Sequence, residues 1–123
     1  MILIDTSSWI HMLRPDGNYE IRSRVEAALK SGDACWCPIV QLELWNGARG
    51  NREQRVLRRF VQALPLLSMD EEVWSAAYDL ARHARAQGVT VPAADVAIAA
   101  CARRHGAGLE SADSDFELLA SVK

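Results

Sequence analysis

The chain has 123 residues, 50% of them apolar and 24% charged, which fits a single globular domain with its own core. Its formal net charge of −2 does not by itself favour a nucleic-acid-binding protein, and no apolar run approaches the ~20 residues of a membrane-spanning helix. The three cysteines lack the spacing of a zinc site. Their odd number and the absence of a secretory leader predict a protein of the reducing cytoplasm.

Strands and helices alternate along the chain. The predicted elements are a strand at 1–5, helices at 6–13 and 18–31, a strand at 34–37, helices at 39–48 and 52–64, a strand at 66–69, helices at 70–87 and 92–106, a strand at 107–111 and a helix at 114–121. This alternation is typical of an α/β sandwich around a mainly parallel sheet, and we predict one such domain over residues 1–123.

Four acids stand alone in largely apolar runs: Asp5, Glu43, Asp95 and Asp113. An ionised carboxylate is costly to bury without a partner, and none of these runs contains a lysine or arginine. Asp5 and Asp113 follow predicted strands, and the other two acids lie on helices that follow extended segments. Since ligands of parallel sheets bind beyond the carboxyl ends of the strands, all four acids can face one edge.

Each acid also has a simpler explanation. Asp5 could cap the first helix, Glu43 could be a solvated helix residue, and Asp95 could stabilise the dipole of its helix. Either Asp113 or Asp115 could cap the last helix. We assign Asp113 to the cluster, because it is closer to the strand, and Asp115 to capping or to support of the ligands.

A cluster of four carboxylates is suited to a hard divalent cation. Oxygen ligands select Mg²⁺ or Mn²⁺ over zinc, and such ions leave coordination positions for water and for phosphate oxygens. We therefore predict phosphodiester cleavage by a metal-bound water, which a carboxylate orients or deprotonates. The charge balance permits this substrate, since the 14 Lys+Arg outnumber the 12 acids outside the cluster and leave a net charge of +2.

Four short blocks of the sequence resemble the motifs of the PIN-domain family. They are Met1–Ser7 around Asp5, Gln41–Leu44 around Glu43, Pro92–Asp95, and Ser111–Phe116 around Asp113. In size and in the order of the blocks, the chain most resembles the VapC toxins of bacterial and archaeal toxin–antitoxin pairs, and the resemblance covers essentially the whole chain.

The resemblance implies a PIN-like three-layer α/β/α sandwich with a mainly parallel sheet of four to five strands. It also implies a Mg²⁺- or Mn²⁺-dependent endoribonuclease, the toxin of a type II toxin–antitoxin system, which arrests translation by cutting RNA, often tRNA or rRNA. A cognate VapB-type antitoxin would inhibit the enzyme, homodimers are usual, and promoter DNA is bound only by the toxin–antitoxin complex.

Carried over to this sequence, the resemblance makes Asp5, Glu43, Asp95 and Asp113 the catalytic and metal-binding residues. Residues that would support these ligands are Ser7, Ser111 and Asp115. Family members usually continue past the last helix with another short strand, whereas only residues 121–123 remain here. The last strand of the family is therefore left open.

Two further groups of residues could contact partners. Arg49, Arg52, Arg55 and Arg59 could form a rail for the RNA backbone, although a solvated helix face explains them equally simply. Trp9 and Trp45 lie near the expected site and are candidates for antitoxin contact, because buried aromatic residues often anchor interfaces. For Trp36 and Trp74 we predict core packing.

Two other classes of protein remain open. The first is a non-catalytic PIN-like binding module that acts within a nucleic-acid-binding complex, which chelation of metals would not affect. The second, a phosphatase with an aspartyl nucleophile, would want another aspartate two residues after Asp5, where the chain has Ser7.

Overall fold

The computed structural model describes all residues, 1–123, and contains three strands and seven helices. In chain order they are β1 (Ile2–Ile4), α1 (Thr6–Leu13), α2 (Tyr19–Ser31), β2 (Ala34–Cys35), α3 (Pro38–Asn46), α4 (Gly50–Ala63), α5 (Glu71–Ala86), α6 (Ala93–Arg104), β3 (Gly108–Glu110) and α7 (Asp115–Ala120). No helix is both long and apolar enough to cross a bilayer.

The sheet is parallel throughout, with β1 at its centre and the strand order β2-β1-β3. Leu3 is opposite Cys35 on one side and Leu109 on the other. The chain leaves β1 towards one edge and later returns from β2 to the opposite edge. Right-handed crossovers in opposite directions place helices on both faces of the sheet, which is the predicted three-layer sandwich. The change of direction creates a crevice between the carboxyl ends of β1 and β3.

The core is one cluster of buried side chains between the sheet and its helices. Helix α6 is its largest contributor, since every residue from Val96 to Ala102 is buried. This apolar run explains why α6 packs against α5, α7 and β3 at once. The helix is thereby fixed in position, and so is the acid in its first turn, Asp95.

The sheet has fewer strands than the expected four to five. The segment predicted as a strand at 66–69 forms only one bridge, between Trp36 and Leu66. Two backbone hydrogen bonds, Trp36 N–H to Pro65 O and Leu67 N–H to Trp36 O, complete the pairing. Extension is blocked because Pro65 has no N–H to donate and Pro38 already begins α3.

Candidate metal centre at the carboxyl edge of the sheet

Two of the predicted acids follow adjacent strands. Asp5 comes directly after β1, and its backbone N–H donates to Glu110 O at the end of β3, at 2.9 Å. Asp113 lies three residues beyond that strand end. The carboxyl ends of the two strands therefore bring both acids to the same crevice, as the sequence predicted.

Asp5 is both a helix cap and the centre of a hydrogen-bond network. It is 4% exposed, and its Oδ2 accepts from Ser7 N at 3.3 Å, from Ser7 Oγ at 2.8 Å and from Ser111 Oγ at 3.0 Å. The two serine hydroxyls in turn accept from the backbone of the β3–α7 loop, Ser7 Oγ from Ala112 N–H and Ser111 Oγ from Asp113 N–H. Capping therefore does not exclude a role for Asp5 in the site, since Oδ2 makes these bonds and Oδ1 has no protein donor.

Three carboxylates form the tightest acidic group of the molecule. Asp95, Asp113 and Asp115 each offer an oxygen, and these three oxygens lie within 4.8 Å of one another. We call these residues the acidic triad. Asp113 Oδ1 also accepts from Asp115 N–H at 2.9 Å, which holds the loop before α7 in place. Asp115, which we predicted to cap the last helix or to support the ligands, therefore lies in the acidic group itself, next to Asp113.

The charge on Asp95 is not compensated by the protein. Its Oδ2 is buried and has no hydrogen-bond donor. Burial and then the carboxylates of Asp113, Asp5 and Asp115 raise the pKa of Asp95 from 3.8 to about 7. Desolvation and like charges both disfavour the ionised form, so the group retains a proton to near neutral pH unless a cation approaches.

Glu43 lies outside the acidic triad. It is half-buried on α3, and its Oε1 accepts from Thr6 Oγ1 at 2.7 Å. Thr6 follows Asp5 directly, so this bond ties the side chain of Glu43 to the start of α1. The sequence carries no local signal for this bond, because its two partners are 37 residues apart in the chain.

The donor set fits a hard divalent cation. All the candidate ligands are carboxylate oxygens, no cysteine or histidine belongs to the group, and one buried oxygen has no other partner. Mg²⁺ and Mn²⁺ prefer such ligands. Asp95, Asp113 and Asp115 could hold the ion. The charge of Asp5 acts on Asp95, and Glu43 is bound to Thr6, the neighbour of Asp5 in the chain.

Two of the tryptophan predictions were wrong. Trp9 is fully buried and packs against Trp36 and Phe60, at ring-centroid distances of 6.0 and 5.0 Å, so it cannot contact an antitoxin. Trp36 is also fully buried, as predicted. Trp74 was expected in the core but is 37% exposed on α5, because the inward face of that helix is formed by smaller side chains.

Helix α4 carries the cationic surface. The four arginines that were predicted to bind the RNA backbone are exposed: Arg49, Arg52, Arg55 and Arg59. Arg58 is exposed as well. Glu53, the acid among them, is half-buried and bound to Arg14 at 2.8 Å. Arg58 lies 6.0 Å from the ring of Trp45, which remains 36% exposed. The exposed face of α4 is therefore cationic, since its one acid is neutralised by Arg14, the residue that follows α1.

Comparison with known proteins agrees with the fold. A sequence model of the PIN domain matches residues 2–122, and the chain belongs to the PIN-domain family. Within that family it is similar to ribonuclease VapC11 of Mycobacterium tuberculosis and to VapC ribonuclease Mb1587 of Mycobacterium bovis. Each is 34% identical over 125 residues, covering 99% of this chain and 93% of the relative. Ribonuclease VapC21 of Mycobacterium tuberculosis is 30% identical over 83% of the chain and 76% of its own length.

Solved structures share the fold. FitAB bound to an IR36 DNA fragment superposes with a TM-score of 0.80 at 24% identity, over 98% of this chain and 91% of that one. DNA-bound VapBC from Salmonella typhimurium gives 0.78 at 23% identity, over 94% and 89%. The predicted resemblance to PIN-domain proteins of the VapC type is thereby confirmed.

Proposed function

We propose that this chain is the toxin of a type II toxin–antitoxin pair, a Mg²⁺- or Mn²⁺-dependent endoribonuclease that cuts RNA phosphodiester bonds. The observation that carries the proposal is the acidic triad with the unpartnered, buried Oδ2 of Asp95. The names of the similar VapC ribonucleases support the same reaction. The substrates we expect, tRNA or rRNA, are cytoplasmic.

The acids would divide the work between binding and positioning. Asp95, Asp113 and Asp115 would hold the cation, together with Asp5 and Glu43. Asp115 would thus be a fifth acid beside the four inferred from the sequence. A divalent cation at such a site activates water and stabilises negative charge on the phosphate oxygens. Ser7 and Ser111 would keep Asp5 oriented through the bonds to its Oδ2.

The arginines of α4 would bind the RNA backbone. Arg49, Arg52, Arg55 and Arg59 are exposed, and the guanidinium group is well matched to phosphate. An acidic centre repels a polyanion, so a separate cationic surface is needed to bring the substrate to it. Glu53 does not cancel this surface because it is paired with Arg14.

The partner would be a VapB-type antitoxin that inhibits the toxin. The similar solved structures are toxin–antitoxin assemblies, FitAB and VapBC, and both contain DNA. By analogy, promoter DNA would be bound only by the complex, and the toxin would form a homodimer. Trp45 remains our candidate for antitoxin contact, since part of its ring is exposed next to α4.

The proposal is tested by RNA cleavage with and without the cation. We expect cleavage of total tRNA and rRNA in Mg²⁺ or Mn²⁺, loss of cleavage in EDTA, and recovery when the metal is restored. Asp95→Asn should reduce the rate by at least about a hundredfold while the circular dichroism spectrum is retained. Asp79→Asn, an exposed acid of α5, is the matched control and should cleave normally.

The alternative is a non-catalytic binding module. Cleavage that survives EDTA would refute the metal-dependent mechanism. A pure protein that cuts no RNA under any metal, yet still binds its antitoxin and DNA, would establish the binding module instead.

A further inference from the structure

Glu110, the last residue of β3, is a carboxylate that the proposed mechanism does not use. Its side chain is only 15% exposed. Both of its oxygens have donors, since Oε1 accepts from Arg24 Nε at 2.7 Å and Oε2 accepts from Ser8 Oγ at 3.2 Å. Because this charge is already paired within the protein, Glu110 does not need a cation, in contrast to Asp95 with its unpartnered Oδ2.

Glu110 lies directly beside Asp5 in the sheet. Its backbone oxygen accepts from Asp5 N–H at 2.9 Å. Its side chain accepts from Ser8, a fully buried residue in the first turn of α1. Asp5 is the N-cap of that helix. Glu110 therefore holds Asp5 through its main chain and the turn after Asp5 through its side chain.

Two neighbouring residues of α1 bond to two neighbouring residues at the end of β3. Ser7 Oγ lies 3.2 Å from Ser111 Oγ, and both hydroxyls donate to Asp5 Oδ2. Ser8 bonds to Glu110 in the same way, one residue further along α1 and one residue earlier in β3. We call these two links the β3–α1 clasp, formed by Ser7, Ser8, Glu110 and Ser111. Two adjacent links restrain the rotation of α1 as well as its distance from β3.

Arg24 of α2 fixes the second link of the clasp. Its Nε donates to Glu110 Oε1 at 2.7 Å and its Nη2 to Oε2 at 3.5 Å, so the guanidinium fork faces both carboxylate oxygens. Without this cation, Glu110 would be an unneutralised carboxylate next to Asp5, and repulsion between the two would favour a wider separation. Arg24 itself is 51% exposed and reaches the clasp from the surface.

We propose that Ser8, Glu110 and Arg24 are positioning residues for Asp5, which hold its carboxylate where it can act together with the acidic triad. The inference rests on the proposed function, since it assigns a role within the same site. Helix α2, which contributes no acid to the site, thereby takes part in it. Because none of the three residues touches the metal or the RNA in this role, their loss should slow cleavage without weakening RNA binding.

The first test removes one hydroxyl of the clasp. Ser8→Ala should lower the cleavage rate at saturating RNA and Mg²⁺ by about tenfold, with RNA affinity in EDTA unchanged. Ser31→Ala is the matched control, because it also removes a serine-to-carboxylate bond, from Ser31 Oγ to Asp33 at 2.9 Å at the far end of α2. The control should cleave normally. A wild-type rate in Ser8→Ala would overturn the proposal.

The second test separates positioning from RNA binding at Arg24. Arg24→Gln should reduce the saturated cleavage rate by about fivefold, and Arg24→Lys, which keeps the charge, should recover most of it. Fluorescence anisotropy should give the same RNA affinity for all three proteins. If Arg24→Gln instead weakens RNA binding and leaves the saturated rate unchanged, Arg24 belongs to the RNA-binding surface and the proposal is wrong.

The third test needs neither metal nor RNA. Hydrogen exchange of the Asp5 N–H should be faster by about tenfold in Ser8→Ala and in Arg24→Gln, because this amide bonds to Glu110. The Leu67 N–H, bonded to Trp36 O at 2.8 Å beyond the far edge of the sheet, should exchange as in the wild type. Unchanged exchange at Asp5 would contradict the clasp, and faster exchange with normal cleavage would make its role structural only. A wild-type chain that cuts no RNA would refute the proposed function, and exchange at Asp5 would still decide whether the clasp holds this residue.

Discussion

Asp95 is the residue at which folding and the proposed function oppose each other. Helix α6 is fixed by its apolar faces, and the same packing withdraws the carboxylate from water beside Asp113 and Asp115. No arginine or lysine approaches to neutralise it, and its Oδ2 has no donor. Without a cation, the protein therefore disfavours the ionised form of Asp95, which is the form that would bind the cation.

This conflict predicts a pH-dependent stability. The pKa of Asp95 is about 7 in the folded protein and near 3.8 in the unfolded chain, so the folded state retains a proton that the unfolded state releases between these values. Stability should thus fall as pH rises from about 4 to about 7 and stay low above it. Asp95→Asn should stabilise the metal-free protein by about 2 kcal/mol at pH 8, allowing for solvent screening of a half-buried group.

Urea denaturation in EDTA measures this difference. The advantage of Asp95→Asn should disappear below about pH 3, where the wild-type carboxyl is protonated in both states. The exposed Asp79→Asn should show no comparable gain. Equal stabilities of wild type and Asp95→Asn at pH 8 would contradict the account of this residue.

Thr6 offers a test of how Glu43 is positioned. Thr6→Val keeps the shape of the side chain but removes the hydrogen bond to Glu43 Oε1, and we expect cleavage to fall by about tenfold. Thr6→Ser keeps the hydroxyl and should retain most of the rate. If Thr6→Val cleaves RNA as fast as the wild type, Glu43 does not need this anchor.

At the residue scale, sequence predicted the isolated acids better than their contacts. Asp5, Asp95 and Asp113 stood out because uncompensated charge in an apolar run demands an explanation. The bond between Thr6 and Glu43, and the entry of Asp115 into the acidic triad, depend on how distant segments meet and how a loop turns. Trp9 was misplaced for the same reason, since an aromatic ring near a site in sequence can point into the core.

At the element scale, α4 has its arginines on one side and its buried residue on the other. Leu57 is its one fully buried residue, and the arginines occupy the opposite side. The ion pair between Arg14 and Glu53, together with the Arg49 N–H that donates to Glu53 at 2.8 Å, fixes the start of α4 against α1. A rigid helix with a cationic face is a suitable platform for a phosphate backbone.

If α4 binds RNA, its arginines should determine the salt dependence. Arg55→Ala and Arg59→Ala should each weaken RNA binding and reduce the slope of log K against log salt by about 0.7 to 0.9. Lys30→Ala, an exposed cation at the end of α2, is the control and should leave the slope unchanged. Binding to catalytically inactive Asp95→Asn, measured by fluorescence anisotropy across a salt series, gives these slopes without cleavage.

The turn between α1 and α2 has no room for a side chain at Gly17. A Cβ at this position would lie 1.9 Å from the backbone oxygen of His11. We expect Gly17→Ala to destabilise the protein by about 2 kcal/mol or more, because backbone must move to relieve the clash. Gly47→Ala meets nothing closer than 3.5 Å and should change stability much less. Chemical denaturation compares the two, and similar losses would contradict this explanation.

At the scale of the whole molecule, the alternation of strands and helices was enough to predict the fold. All seven helices form close to their predicted bounds, because Pro, Gly and capping residues mark their ends. The number of strands was not predictable in the same way. Strand length depends on how many backbone groups a neighbour can pair, and the segment at 66–69 finds only Trp36.

A bound cation should stabilise the whole chain through the same topology. The acidic triad brings together the first turn of α6 and the loop between β3 and α7. An ion held there would link these two segments directly. Mg²⁺ or Mn²⁺ at a hundredfold excess over its dissociation constant should stabilise the protein by about 2.7 kcal/mol. Thermal melts should show this gain in the wild type and its loss in Asp95→Asn, whereas an equal gain in both would place the ion elsewhere.

The double role of Asp5 affects the choice of an inactive variant. Its Oδ2 caps α1 and holds the loop after β3 through two serine hydroxyls. A substitution of Asp5 would therefore disturb the local structure as well as the proposed metal site. The unpartnered carboxylate of Asp95 supports no such bonds. An inactive variant that keeps a native-like state, for trapping the proposed RNA substrate or antitoxin, is therefore better made at position 95 than at position 5.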